Sequence, residues 1–280
     1  MLDCHLLDTG YCIVSESQMI QGGQQRKIHC HAIVALLRHP TQGWLLWDTG
    51  YAPRMIEAMR PWPYRIYALA TPLHARPEQA VVKQLPRWGL HAEDIHHIIL
   101  SHFHADHLAG LRDFPDATPI ATRAGYEAVA GRTGLAALRR AVLPVLLPED
   151  FTARALLLAT PFRGPPLPGL GPTHDLFGDG LLRLVELPGH ARGQVGLLAQ
   201  TTQGPRLFAA DGAWLSQAIR EQRPPAAITR LFVDDFQAVT ETLRRLHEFA
   251  RACPEVLILP THCPEIFERE VKPWPPALSP

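Results

Sequence analysis

The sequence contains no apolar run that approaches the roughly 18 residues needed to cross a membrane as a helix. Its first residues, Met-Leu-Asp-Cys-His, also lack the basic segment and apolar core of a secretory signal. These two absences predict a protein without a membrane span, and we expect a cytoplasmic location.

Cysteine is scarce and follows no metal-binding or redox pattern. The five cysteines are odd in number, are scattered along the chain and form no Cys-x-x-Cys pair. Such usage excludes a disulfide framework and indicates free thiols in a reducing compartment.

An excess of charge of either sign is absent as well. Lys and Arg together number 27, as do Asp and Glu, so the formal net charge is zero. Nucleic-acid binding needs a basic surface that displaces counterions, so we expect no nucleic-acid partner. Hydrophobic residues make up 46% and charged residues 19% of the chain, which excludes a disordered protein.

Short apolar segments separated by turns, with helices at intervals, predict a mixed α/β protein. Residues 29–37 and 44–47 predict a hairpin that ends in Asp48-Thr49-Gly50. Further strands are predicted at 97–100, 118–121, 181–187, 195–201, 206–210 and 256–259. Residues 235–252 predict a helix, because apolar residues recur there three or four positions apart.

Two segments have weaker patterns. Residues 51–73 mix Met, Trp, Tyr and Pro with charged residues, which favours a loop or short helix over a cleft and not a core element. Residues 131–176 combine a short helical stretch with a tract rich in Pro and Gly. We interpret this second segment as a helical and loop insertion within one domain that spans residues 1–280.

The segment Ser101–Gly110 (SHFHADHLAG) concentrates groups that bind metals. It places three imidazoles and a carboxylate within six positions, directly after a predicted buried strand. His102 and His104 are two apart, so on extended backbone they point the same way and can bind one ion. Asp106 and His107 lie where a helix is predicted to begin and can face a second ion.

Three other predicted strands end in a residue that can bind a metal. His190 follows Pro188-Gly189, Asp211 follows an apolar strand, and His262 follows Pro260-Thr261. Each of these alone is more often a turn residue. Together with the histidine cluster they indicate one metal site, because such residues end several strands in succession.

The sequence resembles the metallo-β-lactamase superfamily of hydrolases. It shares the order of four features: HxHxDH, a Gly-His turn, an Asp after a strand and a late His. The resemblance runs from Asp48 to His262 and implies a four-layer αβ/βα sandwich with two metal ions at one edge. It implies ligands for the first metal at His102, His104 and His190, and for the second metal at Asp106, His107 and His262. Asp211 would bridge both ions, and Asp48 would orient a ligand imidazole from behind.

Five imidazoles and two carboxylates form a set that suits zinc and also admits iron, manganese or cobalt. We therefore expect two Zn²⁺ ions as cofactors. A hydroxide shared by two such ions would attack an ester-like carbonyl, and Asp106 would also act as the catalytic residue that accepts and returns a proton.

Within the superfamily, the sequence most resembles the N-acyl homoserine lactone lactonases, which implies a quorum-quenching enzyme that opens a lactone or a related small-molecule ester. Those lactonases have a tyrosine shortly after the bridging aspartate, whereas this sequence reads Asp211-Gly212-Ala213-Trp214. The candidate substrate contacts are Trp214, Tyr51 and Tyr64. A homodimer is compatible with this interpretation.

Two alternatives remain open at this point. A thioesterase of the hydroxyacylglutathione hydrolase type uses a similar metal set with cationic residues near its C-terminus, for which Lys272 is the candidate here. An oxidoreductase similar to the persulfide dioxygenases would keep the motif and bind one iron. Two zinc ions per chain would favour hydrolysis, whereas one iron with O₂ uptake would favour oxidation.

Overall fold

The computed structural model describes residues 1–272, in which the strands form a seven-stranded and a five-stranded sheet. The strands are β1 (Asp3–Ser15), β2 (Lys27–His39), β3 (Gly43–Trp47), β4 (Leu73–His74), β5 (Ile95–Ile99), β6 (Thr118–Thr122), β7 (Leu156–Leu158), β8 (Thr173–Asp175), β9 (Leu182–Glu186), β10 (Val195–Thr201), β11 (Gly204–Ala210) and β12 (Leu257–Pro260).

Most of the helices are short. The α-helices are α1 (Glu16–Met19), α2 (Pro53–Ala58), α3 (Arg65–Ala70), α4 (Val81–Gln84), α5 (Ala105–Leu108), α6 (Arg123–Val129), α7 (Gly134–Leu138), α8 (Phe151–Arg154), α9 (Ser216–Glu221), α10 (Phe236–Ala252) and α11 (Pro264–Ile266). The 3₁₀ segments are Pro77–Gln79, Leu85–Trp88, Ala92–Asp94, Leu111–Asp113, Pro144–Leu146 and Ala227–Leu231, and Phe267–Val271 is a short π-helix. Among residues 1–272, none of the helices has the length and apolar character that a membrane-spanning helix requires.

Both sheets are mixed. The seven-stranded sheet has the order β4-β1-β2-β3-β5-β6-β7, in which β3, β5, β6 and β7 run parallel. The five-stranded sheet has the order β12-β11-β10-β9-β8, in which β11 and β12 run parallel and β9 and β10 pair antiparallel. Strands β9, β11 and β12 therefore point the same way.

The two sheets pack face to face, and helices cover both outer faces. Between the sheets, Trp47 of β3 and Phe208 of β11 have ring centroids 6.3 Å apart. Strand β2 is buried on both faces, because Ile33 and Ala35 join this central core while the alternate Val34 packs in the outer core. The predicted four-layer αβ/βα sandwich is confirmed.

Helix α10 covers the outer face of the five-stranded sheet. Its residues Leu243, Leu246 and Phe249 are buried at helical spacing against that sheet. The Asp235 carboxylate accepts hydrogen bonds from the backbone N–H groups of Gln237 and Ala238, which caps the first turn. The predicted helix at 235–252 is confirmed.

The segment 131–176 differs in part from the helical and loop insertion that the sequence predicts. It contains the short helices α7 and α8, but it also supplies a strand to each sheet. Strand β7 pairs with β6 at one edge of the larger sheet, and β8 pairs with β9 at one edge of the smaller sheet. The segment therefore completes both sheets and does not stand apart from them.

The segment 51–73 is helical in part, as predicted, but its exclusion from the core is wrong. Met55 and Met59 in and beside α2 are buried against the larger sheet. Arg54 lies on the other side of this helix, where it forms an ion pair with Asp113. The segment is amphipathic, so its charged residues do not prevent its apolar face from packing.

Candidate metal centre

The predicted ligands follow strands that end at one edge of the sandwich. Asp48 and Ser101 follow the parallel strands β3 and β5 of one sheet. His190, Asp211 and His262 follow β9, β11 and β12, which point the same way in the other sheet. The carboxyl ends of strands with a common direction meet at one edge, which brings distant residues together.

The first trio consists of His102, His104 and His190, whose side chains are all buried. His104 Nδ1 and His190 Nε2 are 2.8 Å apart. One ligand nitrogen from each of the three rings falls within 4.8 Å of the others. Imidazole nitrogens that converge in this way can bind one metal ion.

The second trio consists of Asp106, His107 and His262, which meet the same distance criterion. His262 Nε2 lies 3.3 Å from Asp106 Oδ2. Asp211 lies between the two trios: its Oδ2 is 3.1 Å from His190 Nε2, and its Oδ1 is 3.2 Å from His262 Nε2. All seven predicted ligands therefore come together, with Asp211 at the centre.

Hydrogen bonds behind the cluster hold the outer nitrogens of two rings. His107 Nδ1 lies 2.8 Å from Asp48 Oδ2, and His262 Nδ1 lies 2.6 Å from the backbone carbonyl oxygen of His31. In both rings the outer nitrogen donates to an oxygen, which leaves Nε2 to face inward. Asp48 therefore has the contact expected of a carboxylate that orients a ligand imidazole.

Several atoms inside the cluster lack a hydrogen-bond partner among the described residues. They include His102 Nε2, His107 Nε2 and Asp211 Oδ1, all of which are buried. The last two face each other at 3.4 Å, and Asp211 Oδ1 lies 3.2 Å from His262 Nε2, but neither contact has the geometry of a hydrogen bond. A buried polar atom without a partner costs about 1–3 kcal/mol of stability. A pair of bound cations would satisfy these atoms, so the residues present fit a metal centre.

Comparison with known proteins agrees with this geometry. The family model for the metallo-beta-lactamase superfamily matches residues 30–262. The chain belongs to the metallo-β-lactamase superfamily.

Curated relatives within this superfamily include lactonases and metallo-hydrolases. The N-acyl homoserine lactonase AttM of Azorhizobium caulinodans is 29% identical over 62% of this chain, and the match spans only 61% of that relative's length. The probable metallo-hydrolase Rv2300c of Mycobacterium tuberculosis is 26% identical over 85% of this chain and 76% of its own length.

A solved structure, that of an N-acyl homoserine lactone hydrolase with the product N-hexanoyl-L-homoserine bound at its catalytic metal centre, shares the fold. It superposes with a TM-score of 0.70, over 95% of this chain and 94% of that chain, at 20% sequence identity. At this identity the likeness concerns the fold alone.

The two trios differ in their electrostatics. Burial lowers the pKa of His102 and His104 well below the usual value and also lowers the pKa of His190. Neighbouring imidazoles add to this effect for His102 and His104. The first trio is therefore neutral at pH 7, which is the form in which imidazole binds a metal.

The histidines of the second trio behave in the opposite way. Burial opposes the charged form of His262, but the carboxylates of Asp211 and Asp106 raise its pKa to about 9. Burial likewise opposes protonation of His107, yet Asp48 and Asp211 raise its pKa well above the usual value. Both rings are therefore protonated at pH 7 when no metal is bound.

The backbone is constrained at three positions beside the cluster. Asp48 has a φ of 59° and Ala210, which precedes Asp211, has a φ of 45°, both in the left-handed region. Gly189, before His190, has a φ of 126°, and a Cβ there would lie 2.2 Å from the backbone nitrogen of Val239. Only glycine fits at that turn, because α10 packs directly against it.

The predicted substrate contacts occupy different places. Trp214 adjoins the cluster, since its Nε1 donates a 3.0 Å hydrogen bond to Asp211 Oδ2 and its ring lies 5.6 Å from the ring of His190. Tyr51 is buried in the outer core. The Tyr64 hydroxyl accepts a 2.8 Å hydrogen bond from the backbone N–H of Gly134, which is not one of the cluster residues.

Tyr67 contacts the cluster and is absent from the predicted substrate contacts. Its hydroxyl lies 3.5 Å from Asp106 Oδ1, the carboxylate to which it donates. Burial raises the pKa of Tyr67 well above its usual value, and the charge of Asp106 adds to this effect. No local pattern distinguishes Tyr67 from Tyr64, because the contact joins residues 39 positions apart.

Proposed function

We propose that this protein is a metal-dependent hydrolase that binds two Zn²⁺ ions and opens a lactone or cleaves a related ester. The observation that carries the proposal is the convergence of seven metal-ligating side chains in one buried cluster, with Asp211 between two trios. Iron or manganese would fit the same oxygen and nitrogen donors.

The residues divide as their contacts suggest. His102, His104 and His190 would hold one ion, and Asp106, His107 and His262 the other. Asp211 offers one carboxylate oxygen to each side and would bridge them. When bound, the two ions would lower the pKa of water and polarise a carbonyl oxygen.

Asp106 is the proposed proton carrier. Its side chain keeps some contact with solvent, at 16% exposure, while Asp211 beside it is nearly closed off at 4%. In hydrolysis a water oxygen bonds to the carbonyl carbon, the carbon–oxygen bond of the lactone breaks, and the released alkoxide takes a proton. Asp106 would accept the proton from the water and return it to that alkoxide.

The Tyr67 hydroxyl and the Trp214 indole each contact a carboxylate of the cluster. Tyr67 would donate to the substrate carbonyl or hold Asp106 in place, since its hydroxyl already faces that carboxylate. Trp214 keeps its N–H on Asp211, so its ring would form an apolar wall beside His190. The tyrosine hydroxyl beside the metal cluster is therefore that of Tyr67, in the segment 51–73. The residues directly after Asp211 do not supply one.

The relatives support a lactone or ester substrate. Curated relatives include several N-acyl homoserine lactonases and a gamma-lactamase of Gibberella moniliformis, whose names denote hydrolysis of a cyclic ester or amide. We carry this over as a proposal, because the chain spans about three fifths of the lactonase relative's length.

A substrate panel tests the proposed function. Zinc-, manganese- and iron-loaded protein is assayed with acyl homoserine lactones, aryl esters, thioesters and a cephalosporin. We expect turnover of lactones or aryl esters by the zinc form. Turnover restricted to thioesters would favour the thioesterase alternative, and O₂ uptake by a form with one iron would favour oxidation. No turnover of any lactone or ester would contradict the proposal.

A further inference from the structure

A cavity of about 440 Å³ opens beside His104 and His190. It lies next to the first trio, so a molecule held in it reaches the proposed reaction centre. The cavity is bounded by α6, by the end of α7, by the loop after His190 and by the segment that leads into α10.

Four arginines line this cavity, whereas the chain as a whole is neutral. They are Arg139, Arg140, Arg192 and Arg230. Among the described residues, the cavity lining contains one carboxylate, that of Asp234, and it forms an ion pair with Arg140. The other three arginines therefore line the cavity without an ion pair to a carboxylate of its lining.

The acidic groups of the depression next to the cavity are already engaged. Asp235 and Glu241 lie in a neighbouring depression that Arg230 also borders. The Asp235 carboxylate caps α10, and the Glu241 carboxylate pairs with Arg244. The guanidinium of Arg230 lies 4.7 Å from the ring centroid of Phe236, a residue of that neighbouring depression.

Apolar side chains lie next to these arginines. Leu231 and Phe232 line the same cavity although they are 67% and 58% exposed to solvent. Phe103 and Val129 complete an apolar wall close to His104. The lining therefore combines an apolar surface with an unbalanced positive charge.

We propose that the substrate of this site carries an anionic group, a carboxylate or a phosphate, in addition to the bond that is cleaved. Arg139, Arg192 and Arg230 bind that group, and Leu231 and Phe232 pack against the apolar part of the molecule. Guanidinium groups suit both anions because they donate paired hydrogen bonds to two oxygens. The inference rests on the proposed function, since it takes the cluster beside the cavity as the reaction centre.

Matched esters test the charge directly. Mono-4-nitrophenyl suberate has a free carboxylate at the far end of its acyl chain, and its methyl ester is the neutral counterpart. We expect kcat/KM to be about tenfold higher for the charged ester, because a hydrogen bond to a charged group contributes a free energy of that order. The preference should shrink in 0.5 M NaCl and fall towards one in the R139Q/R230Q variant.

A second pair distinguishes a phosphate from a carboxylate. Butyryl-coenzyme A carries phosphates, whereas butyryl-N-acetylcysteamine presents the same thioester without charge. A higher kcat/KM for the charged member of either pair, lost in R139Q/R230Q, supports the proposal. The pair that shows this difference tells whether the site binds a carboxylate or a phosphate. Equal rates within both pairs, or a preference that survives R139Q/R230Q, would overturn it.

The Arg251→Gln variant is the matched control. Arg251 is an exposed arginine near the end of α10, about 22 Å along the helix from Phe236. It does not line the cavity, so its removal should leave the charge preference unchanged.

Calorimetric binding separates this inference from the proposed function. The monoamide of suberic acid, which carries one carboxylate, should bind the zinc-loaded protein about tenfold more tightly than the neutral diamide, and the difference should disappear in R139Q/R230Q and persist in R251Q. This result without ester or lactone turnover would contradict hydrolysis and still support an anion site. Equal binding of the two amides, together with ester turnover, would contradict the anion site alone.

Discussion

Asp48 Oδ2 lies 2.8 Å from His107 Nδ1, and both side chains are almost completely buried. The same carboxylate accepts hydrogen bonds from the backbone N–H and the hydroxyl of Ser101. These contacts fix the plane of the His107 ring and direct its Nε2 towards Asp211, 3.4 Å away. A residue from the end of β3 thus orients a predicted ligand on α5.

The Asp48→Asn variant tests this orienting role. The amide cannot accept the Nδ1 proton of His107 as the carboxylate does, so we expect zinc affinity to fall about 10- to 100-fold. Competition with a chromophoric chelator measures the affinity. The control is Asp179→Asn, because Asp179 Oδ2 lies 3.0 Å from His39 Nε2 in a similar pair outside the cluster. Equal affinities in the two variants would contradict the role of Asp48.

The His104→Ala and Asp211→Asn variants test the proposed ligands. Each removes a donor atom from the cluster, so we expect each protein to lose bound metal and most of its activity. Elemental analysis of the purified variants gives the metal content per chain. His174→Ala is the control, since its ring stacks on Phe162 away from the cluster. Metal content at the wild-type level in both cluster variants would contradict the assignment.

The Tyr67→Phe variant tests whether the phenol near Asp106 takes part in the reaction. We expect kcat/KM to fall about tenfold with metal content unchanged, because only one hydrogen-bond donor is lost. Tyr64→Phe is the matched control. It removes the hydrogen bond to Gly134 and should reduce the free energy of unfolding by about 1 kcal/mol. A larger kinetic loss in Tyr64→Phe than in Tyr67→Phe would contradict the proposal.

Zinc binding should release protons at neutral pH. The pKa of His262 is raised to about 9, so this ring is protonated at pH 7 in the metal-free protein. Zinc binds the neutral imidazole, so binding at pH 7 expels that proton, whereas above pH 9 the ring is already neutral. Calorimetry in buffers of different ionisation enthalpy counts the protons. We expect about one more proton per chain at pH 7 than at pH 9.5, and an equal count would contradict this prediction.

The strands next to the centre could be predicted because their pattern is local. The apolar run in β5 is buried at Ile98 and Ile99, and the histidine motif follows directly. The residues of the cluster could be predicted because each lies shortly after such a strand. The order of the strands decides which of these residues meet in space. That order could be expected only from the resemblance to a known family.

The features that escaped prediction depend on contacts between distant residues. Strand β1 shifts its register against β2 between Asp8 and Tyr11, so it lacks a regular alternation of apolar and polar residues. Strands β7 and β8 have three residues each and exist because a neighbouring strand pairs with them. The approach of Tyr67 to Asp106 likewise depends on how α3 packs, which no short pattern encodes.

The central claim is that seven side chains from both sheets hold a pair of metal ions. Anomalous diffraction from zinc-loaded crystals, recorded above and below the zinc absorption edge, tests it most directly. We predict two peaks about 3.5–4 Å apart, one beside each trio, with Asp211 between them. A single peak, or peaks that lie away from the two trios, would contradict the account.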